Sequence, residues 1–194
     1  MPNCNEKRER FEKDGYIIIE DFLPRAINDL LKAEIDTITD NIEILPEVLK
    51  KELLFEKDLT QKQRGDIAVE ECGNAIFLIG ELLRFSDIFK NLLRYEPLLD
   101  VLECLFKSTE FEYHFSNVTI KSPRIGSKIS WHRDCNNKYM RCLSLDMMRP
   151  MLCLDGMTAE NGATQVIRNS HKVTNEFAMT DKSYREENWQ KDDV

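Results

Sequence analysis

The apolar residues of this chain change their spacing near residue 110, from the three-to-four-residue step of helices to the two-residue step of strands. Helices first and strands after predict an α+β fold, with helices buttressing a largely antiparallel sheet. Glu6 to Lys13 reads as a short charged helix stopped at Gly15. Tyr16–Ile19, β-branched and bounded by Gly15 and Asp21, reads as a buried strand. Pro24 opens a helix that puts Ile27, Leu30, Leu31, Ile35 and Ile38 on one face. A weaker helical pattern over 42–60 is interrupted by Pro46, and Ala75–Leu93 and Glu96–Phe106 read as two more helices. Beyond residue 110, Phe111, Tyr113 and Phe115 alternate with polar residues. Val118–Lys121, Ile129–Trp131, Leu143–Met147, Met151–Leu154 and Thr164–Ile167 follow as strands. Ser122-Pro123, Gly126-Ser127 and Glu160-Asn161-Gly162 supply turns between them. Lys172–Val194 is charge-rich and aperiodic, a loop with one exposed helical turn at most.

No repeat or low-complexity linker divides the 194 residues, so they read as one domain. Its helical part covers 1–110, its strands 111–171 and a polar tail 172–194. Lys and Arg number 27 against 35 Asp and Glu, a net charge of −8 with no basic block, which argues against a nucleic-acid partner. No apolar run approaches the ~18 residues of a membrane span. The N-terminus lacks the apolar core of a secretory signal, and Asp192-Asp193-Val194 is no peroxisomal address. A soluble cytoplasmic protein is the expectation, with its oligomeric state left open. None of the six cysteines forms Cys-x-x-Cys, so reduced structural thiols are expected rather than bridges or zinc ligands. Cys142 and Cys153 in apolar segments read as small hydrophobes.

The chemistry-bearing residues are few, because there are only three histidines, His114, His132 and His171. His132 stands in Ser130-Trp131-His132-Arg133-Asp134. In an extended segment residues i and i+2 share a face, so His132 and Asp134 point the same way with Arg133 opposite. An imidazole and a carboxylate so placed are two of the three donors of a 2-His-1-carboxylate Fe(II) site. They equally make an ordinary hydrogen-bonded structural pair. His-Arg-Asp also opens a protein-kinase catalytic loop, but Tyr139 stands where that loop needs Asn, and no Gly-rich phosphate loop or Asp-Phe-Gly occurs. Kinase chemistry is excluded. His114, alternating with aromatics, reads as a sheet histidine.

Three separated segments supply context. Phe11-Glu12-Lys13-Asp14-Gly15-Tyr16-Ile17-Ile18-Ile19-Glu20-Asp21-Phe22-Leu23, Trp131-His132-Arg133-Asp134, and Ala159-Glu160-Asn161-Gly162-Ala163-Thr164-Gln165-Val166-Ile167-Arg168-Asn169-Ser170-His171-Lys172 together resemble the phytanoyl-CoA dioxygenase family. Order and spacing agree over nearly the whole chain, and Arg168-Asn169 stand where the family has Pro-Gly. The resemblance implies a double-stranded β-helix (jelly-roll) core that holds Fe(II) at one mouth. It implies 2-oxoglutarate and O2 as co-substrates, giving succinate and CO2 while a C–H bond of a small organic molecule or acyl thioester is hydroxylated. His132 and Asp134 would be iron ligands. Asn117 and Met151 match, by spacing, positions that line the co-substrate pocket.

In that family the third ligand and the arginine that takes the far carboxylate of 2-oxoglutarate lie on a later strand, and nothing similar precedes Val194. Roughly five strands are read where a jelly roll needs eight. The fold is therefore expected to be incomplete at its C-terminus, the first two-thirds of an oxygenase. Within the chain, His171 could stand in as third ligand with Arg185, fourteen residues on, as the anion clamp. The plainer roles are a His171 that anchors a loop or stands behind the ligands near the site mouth, and an exposed, salt-bridged Arg185. The alternative function is a truncated, catalytically silent member of the same fold that acts by binding.

Overall fold

The computed structural model describes residues 3–134, 146–174 and 191–193. Its helices are α1 (Cys4–Asp14), α2 (Arg25–Asp40), α3 (Glu47–Lys50), α4 (Gln61–Arg64), α5 (Val69–Cys72), α6 (Asp87–Leu92) and α7 (Glu96–Phe106). Its strands are β1 (Leu53–Phe55), β2 (Ile76–Gly80), β3 (Asn117–Thr119), β4 (Gln165–Ile167) and β5 (Lys191–Asp193). Helices and small antiparallel sheets make this an α+β chain. It divides into two compact units, one of Met1–Phe22, Leu99–Glu110 and Trp131–Val194, the other of Leu23–Leu98 and Phe111–Ser130. No helix among the described residues is long and apolar enough to cross a membrane.

The second unit is built on a three-stranded sheet in the order β1-β2-β3, antiparallel throughout. Its centre corrects the helix expected over Ala75–Leu93. Ile76-Phe77-Leu78-Ile79 is a short apolar run, ambiguous by periodicity, and pairing on both sides decides it. Ile79 lies opposite Leu53 on one side and Val118 on the other, and is fully buried. Helix resumes only as a 3-10 turn at Leu82–Arg84 and as α6, whose cap is Ser86 accepting from the Ile88 N–H at 3.2 Å. α2 follows its pattern with Leu31 and Ile38 buried, although Leu30 is half exposed. The weak helix over 42–60 is instead α3, β1 and two 3-10 turns, because Pro46 cannot continue a helix.

One fully buried acid belongs to this unit. The Glu56 carboxylate accepts the Ser127 backbone N–H at Oε1 (3.2 Å) and the Ser127 hydroxyl at Oε2. Lys128 N–H reaches the Gln63 carbonyl beside it at 3.0 Å. Together they pin the loop that follows the turn at Ser122–Gly126.

The first unit is organised around α1. Asn3 and Glu6 close a capping box at its start, and Gly15, at φ 91°, ends it in the left-handed region. The 3-10 turn Ser170–Lys172 then covers the C-terminal carbonyls of α1. His171 Nε2 meets the Glu12 carbonyl at 3.1 Å, Lys172 Nζ donates to the Lys13 carbonyl at 2.9 Å, and the Asn169 N–H donates to the Asp14 carbonyl at 2.9 Å. Three carbonyls that the helix cannot satisfy by itself find partners there. Arg168 pairs with the Asp14 carboxylate at 2.9 Å. Asn169 has φ 64°, a left-handed conformation that Asn tolerates better than most residues.

Gly15 is needed twice over. A Cβ there would stand 2.3 Å from His171 Nδ1, and the backbone is left-handed. Gly15→Ala is expected to cost about 2–3 kcal/mol, from the strained conformation and from displacing the imidazole off Glu12. Denaturant unfolding checks it; a loss under about 0.5 kcal/mol would show that the His171 turn does not grip α1.

Tyr16–Ile19 forms no strand, since no described strand pairs with it, and Ile18 is 49% exposed. Phe111–Phe115, Ile129–Trp131 and Met151–Leu154 are irregular too: an alternating pattern offers a face, but a strand needs a partner. Leu143–Met147 lies mostly outside the described residues. The tail reading changes at Lys191–Asp193, which pairs antiparallel with β4, Val166 opposite Asp192. The reduced-thiol reading fails for Cys4 and Cys104, which form a disulfide with Cα atoms 5.7 Å apart. Their sequence separation of 100 hid the proximity. Cys72 is the buried thiol expected, but Cys153 is exposed, because its apolar neighbours form no strand.

Candidate functional site

His132 and Asp134 lie in an irregular stretch, yet the expected alternation of side-chain direction survives. His132 Nε2 stands 3.3 Å from Asp134 Oδ1. Arg133 turns elsewhere and donates Nη1 to the Val173 carbonyl at 3.1 Å. A guanidinium meets the same carboxylate oxygen: Arg149 Nη1 is 3.1 Å from Asp134 Oδ1. The imidazole is about half exposed and the carboxylate more covered, at 53% and 28%.

These neighbours hold the Asp134 carboxyl below the usual carboxylate range. The hydrogen bond from His132 is the largest cause and the Arg149 charge adds to it, while burial works the other way. A carboxyl depressed in the folded state stabilises the fold above its unfolded pKa of about 3.9 and loses that contribution as pH falls below it. The stability difference between the native chain and Asp134→Asn is therefore expected to shrink as pH is lowered from about 5 to about 3. Melting curves across that range check it. A difference constant with pH would mean that Asp134 is not held by these partners.

The pair suits a divalent transition metal. Imidazole nitrogen and carboxylate oxygen each bind such an ion at about 2.0–2.2 Å, so two donors at right angles stand about 3 Å apart. The observed 3.3 Å is close to that, and the donor chemistry is that of Fe(II) sites. Among the described residues, no group of three His, Cys, Asp or Glu side chains gathers to hold a metal. His171 is placed against Glu12 and Gly15, in the anchoring role. Met151, 48% exposed, has its Sδ 3.7 Å from the Thr164 hydroxyl. Asn117 opens β3, opposite Gly80, in the other unit. Arg185 lies outside the described residues. Sequence reasoning missed Arg149, fifteen residues from Asp134. A single cation amid the apolar residues of 147–154 was the available signal.

The phytanoyl-CoA dioxygenase family model matches residues 11–193. The chain belongs to the phytanoyl-CoA dioxygenase family. No curated protein and no solved structure matches it. Phytanoyl-CoA dioxygenase family proteins are in general Fe(II)- and 2-oxoglutarate-dependent oxygenases, and a small-molecule substrate fits the family. Two of the family-like segments meet in this structure. The end of α1 at Gly15 is capped by the Asn169–Lys172 turn. The third carries His132 and Asp134, and Arg133 joins it to Val173, next to that turn.

Proposed function

We propose that the protein is an Fe(II)/2-oxoglutarate-dependent dioxygenase on a jelly-roll core, hydroxylating a small organic molecule or acyl thioester as 2-oxoglutarate is decarboxylated to succinate. The observation that supports this most is the His132–Asp134 pair, 3.3 Å apart, in a chain whose family is iron-dependent. His132 offers Nε2 and Asp134 a carboxylate oxygen to the ion. Bound iron would supply the site at which 2-oxoglutarate and O2 react. The contribution of Arg149 is to keep Asp134 ionised and turned toward His132, since a carboxylate ligand is oriented by its hydrogen-bond partners. Partial exposure of His132 leaves room for a co-substrate beside it.

Arg149→Leu is accordingly expected to weaken metal binding about 10–100-fold, the usual cost of losing a partner behind a ligand. Titration with Co(II) as a spectroscopic substitute checks it; unchanged affinity removes Arg149 from the site. The reading as a whole is tested by incubating the purified chain with Fe(II), ascorbate, O2 and 2-oxoglutarate and measuring succinate. Iron-dependent succinate, absent in Asp134→Ala, is expected from substrate-independent turnover. No succinate together with no Fe(II) binding would support a silent member of the family that acts by binding.

A further inference from the structure

Cys4 is the first residue of α1 and exposed, whereas Cys104 lies in the last turn of α7 and is half-buried. Their disulfide has neighbours that an inert staple does not need. Arg8 Nη2 stands 3.5 Å from Cys4 Sγ. The same guanidinium donates to the Cys104 carbonyl through Nε at 3.0 Å and Nη2 at 2.8 Å. Cys4 also sits on the first turn of an 11-residue helix, whose N-terminal end carries positive charge that the Glu6 carboxylate of the capping box offsets in part. A guanidinium and a helix N-terminus both favour thiolate over thiol. Farther along α1, Glu12 pairs with Lys107, the residue after α7, at 3.0 Å. Arg8 and Lys107 therefore keep α1 and α7 aligned when the S–S bond is cut, and the two sulfurs stay within reach of each other.

We propose that Cys4–Cys104 is a thiol–disulfide exchange site that small thiols such as glutathione open and that recloses without rearrangement. A glutathione thiolate attacks Cys104 Sγ, the S–S bond breaks, and its electron pair leaves on Cys4 Sγ, where Arg8 and the α1 N-terminus stabilise the charge. A second glutathione thiolate attacks the glutathione sulfur of the mixed disulfide, forming oxidised glutathione and releasing Cys104 as thiolate. The two protein thiolates take up the two protons given up by the glutathione thiols. Two glutathiones are oxidised and one protein disulfide is reduced.

The test uses the full chain in reduced and oxidised glutathione mixtures, quenched by alkylation, with the peptide linking Cys4 to Cys104 measured by mass spectrometry. The link is expected to form in oxidised mixtures and open in reduced ones. Arg8→Gln is expected to slow opening roughly three- to tenfold, the size that about one pKa unit in the leaving thiol gives, while Arg8→Lys keeps the native rate. Amide exchange of residues 4–10 supplies a second readout: Cys104→Ser should exchange like the reduced native chain and faster than the oxidised one. A pair that stays linked in every mixture, or never links, overturns the proposal. So does Arg8→Gln opening at the native rate.

Discussion

Asp134→Ala is expected to lower Fe(II) affinity by more than about 100-fold, and His132→Ala by a similar factor. Losing a group behind a ligand already costs about 10–100-fold, and removing a ligand itself costs more. For Asp134 a second term acts in the same direction. Arg149 now neutralises part of the carboxylate; without Asp134 the negative charge that offsets the guanidinium on this side is lost, which disfavours a cation there. His132→Ala leaves the Asp134–Arg149 pair intact, so it separates donor loss from charge imbalance. Because the His132 side chain is half exposed and that of Asp134 partly so, neither truncation opens a large cavity, and both variants should fold. Anaerobic equilibrium dialysis with Fe(II), alongside circular dichroism, measures this. Native affinity in both folded variants would remove the pair from the metal account.

The largest stability effect belongs to a residue far from that chemistry in sequence. Glu56→Ala is expected to destabilise the fold by about 3 kcal/mol, from a buried void and from the Ser127 N–H and hydroxyl left without an acceptor. At this chain length that is a fall in melting temperature of roughly 6–12 °C. Glu56→Gln keeps the volume and one good acceptor and should lose less. Ser127→Ala removes one donor, and the double variant with Glu56→Ala should fall short of the sum because the two share one interaction. Additive losses, or a Glu56→Ala cost below about 1 kcal/mol, would show that the pairing does not hold the loop.

What the chain disclosed by sequence was local. α1, α2 and α7 were readable because their signals lie within each segment: Gly15 stops the first, whose start at Cys4 lies two residues before the expected Glu6, Pro24 opens the second, and Glu96–Phe106 agrees residue for residue. The His132–Asp134 juxtaposition was readable for the same reason, as two residues two positions apart on an extended chain share a side. Pairing across the sequence was not readable. Ile76–Gly80 is a strand because Leu53–Phe55 and Asn117–Thr119 flank it, and Tyr16–Ile19, with a comparable composition, is not one for want of such neighbours. Arg149 on Asp134, Ser127 on Glu56, His171 on Gly15 and Cys4 on Cys104 are all long-range placements of this kind. Asn169 falls between the two. Its departure from the family pattern was visible, but only the backbone reveals that Asn169 is left-handed there.

The most direct test of the oxygenase account is 2-oxoglutarate binding measured by calorimetry under anaerobic conditions, with and without Fe(II). The account predicts binding that requires the metal and disappears in His132→Ala and Asp134→Ala. Binding of 2-oxoglutarate that ignores both Fe(II) and these two residues, or no binding at all by the metal-loaded native chain, would contradict it.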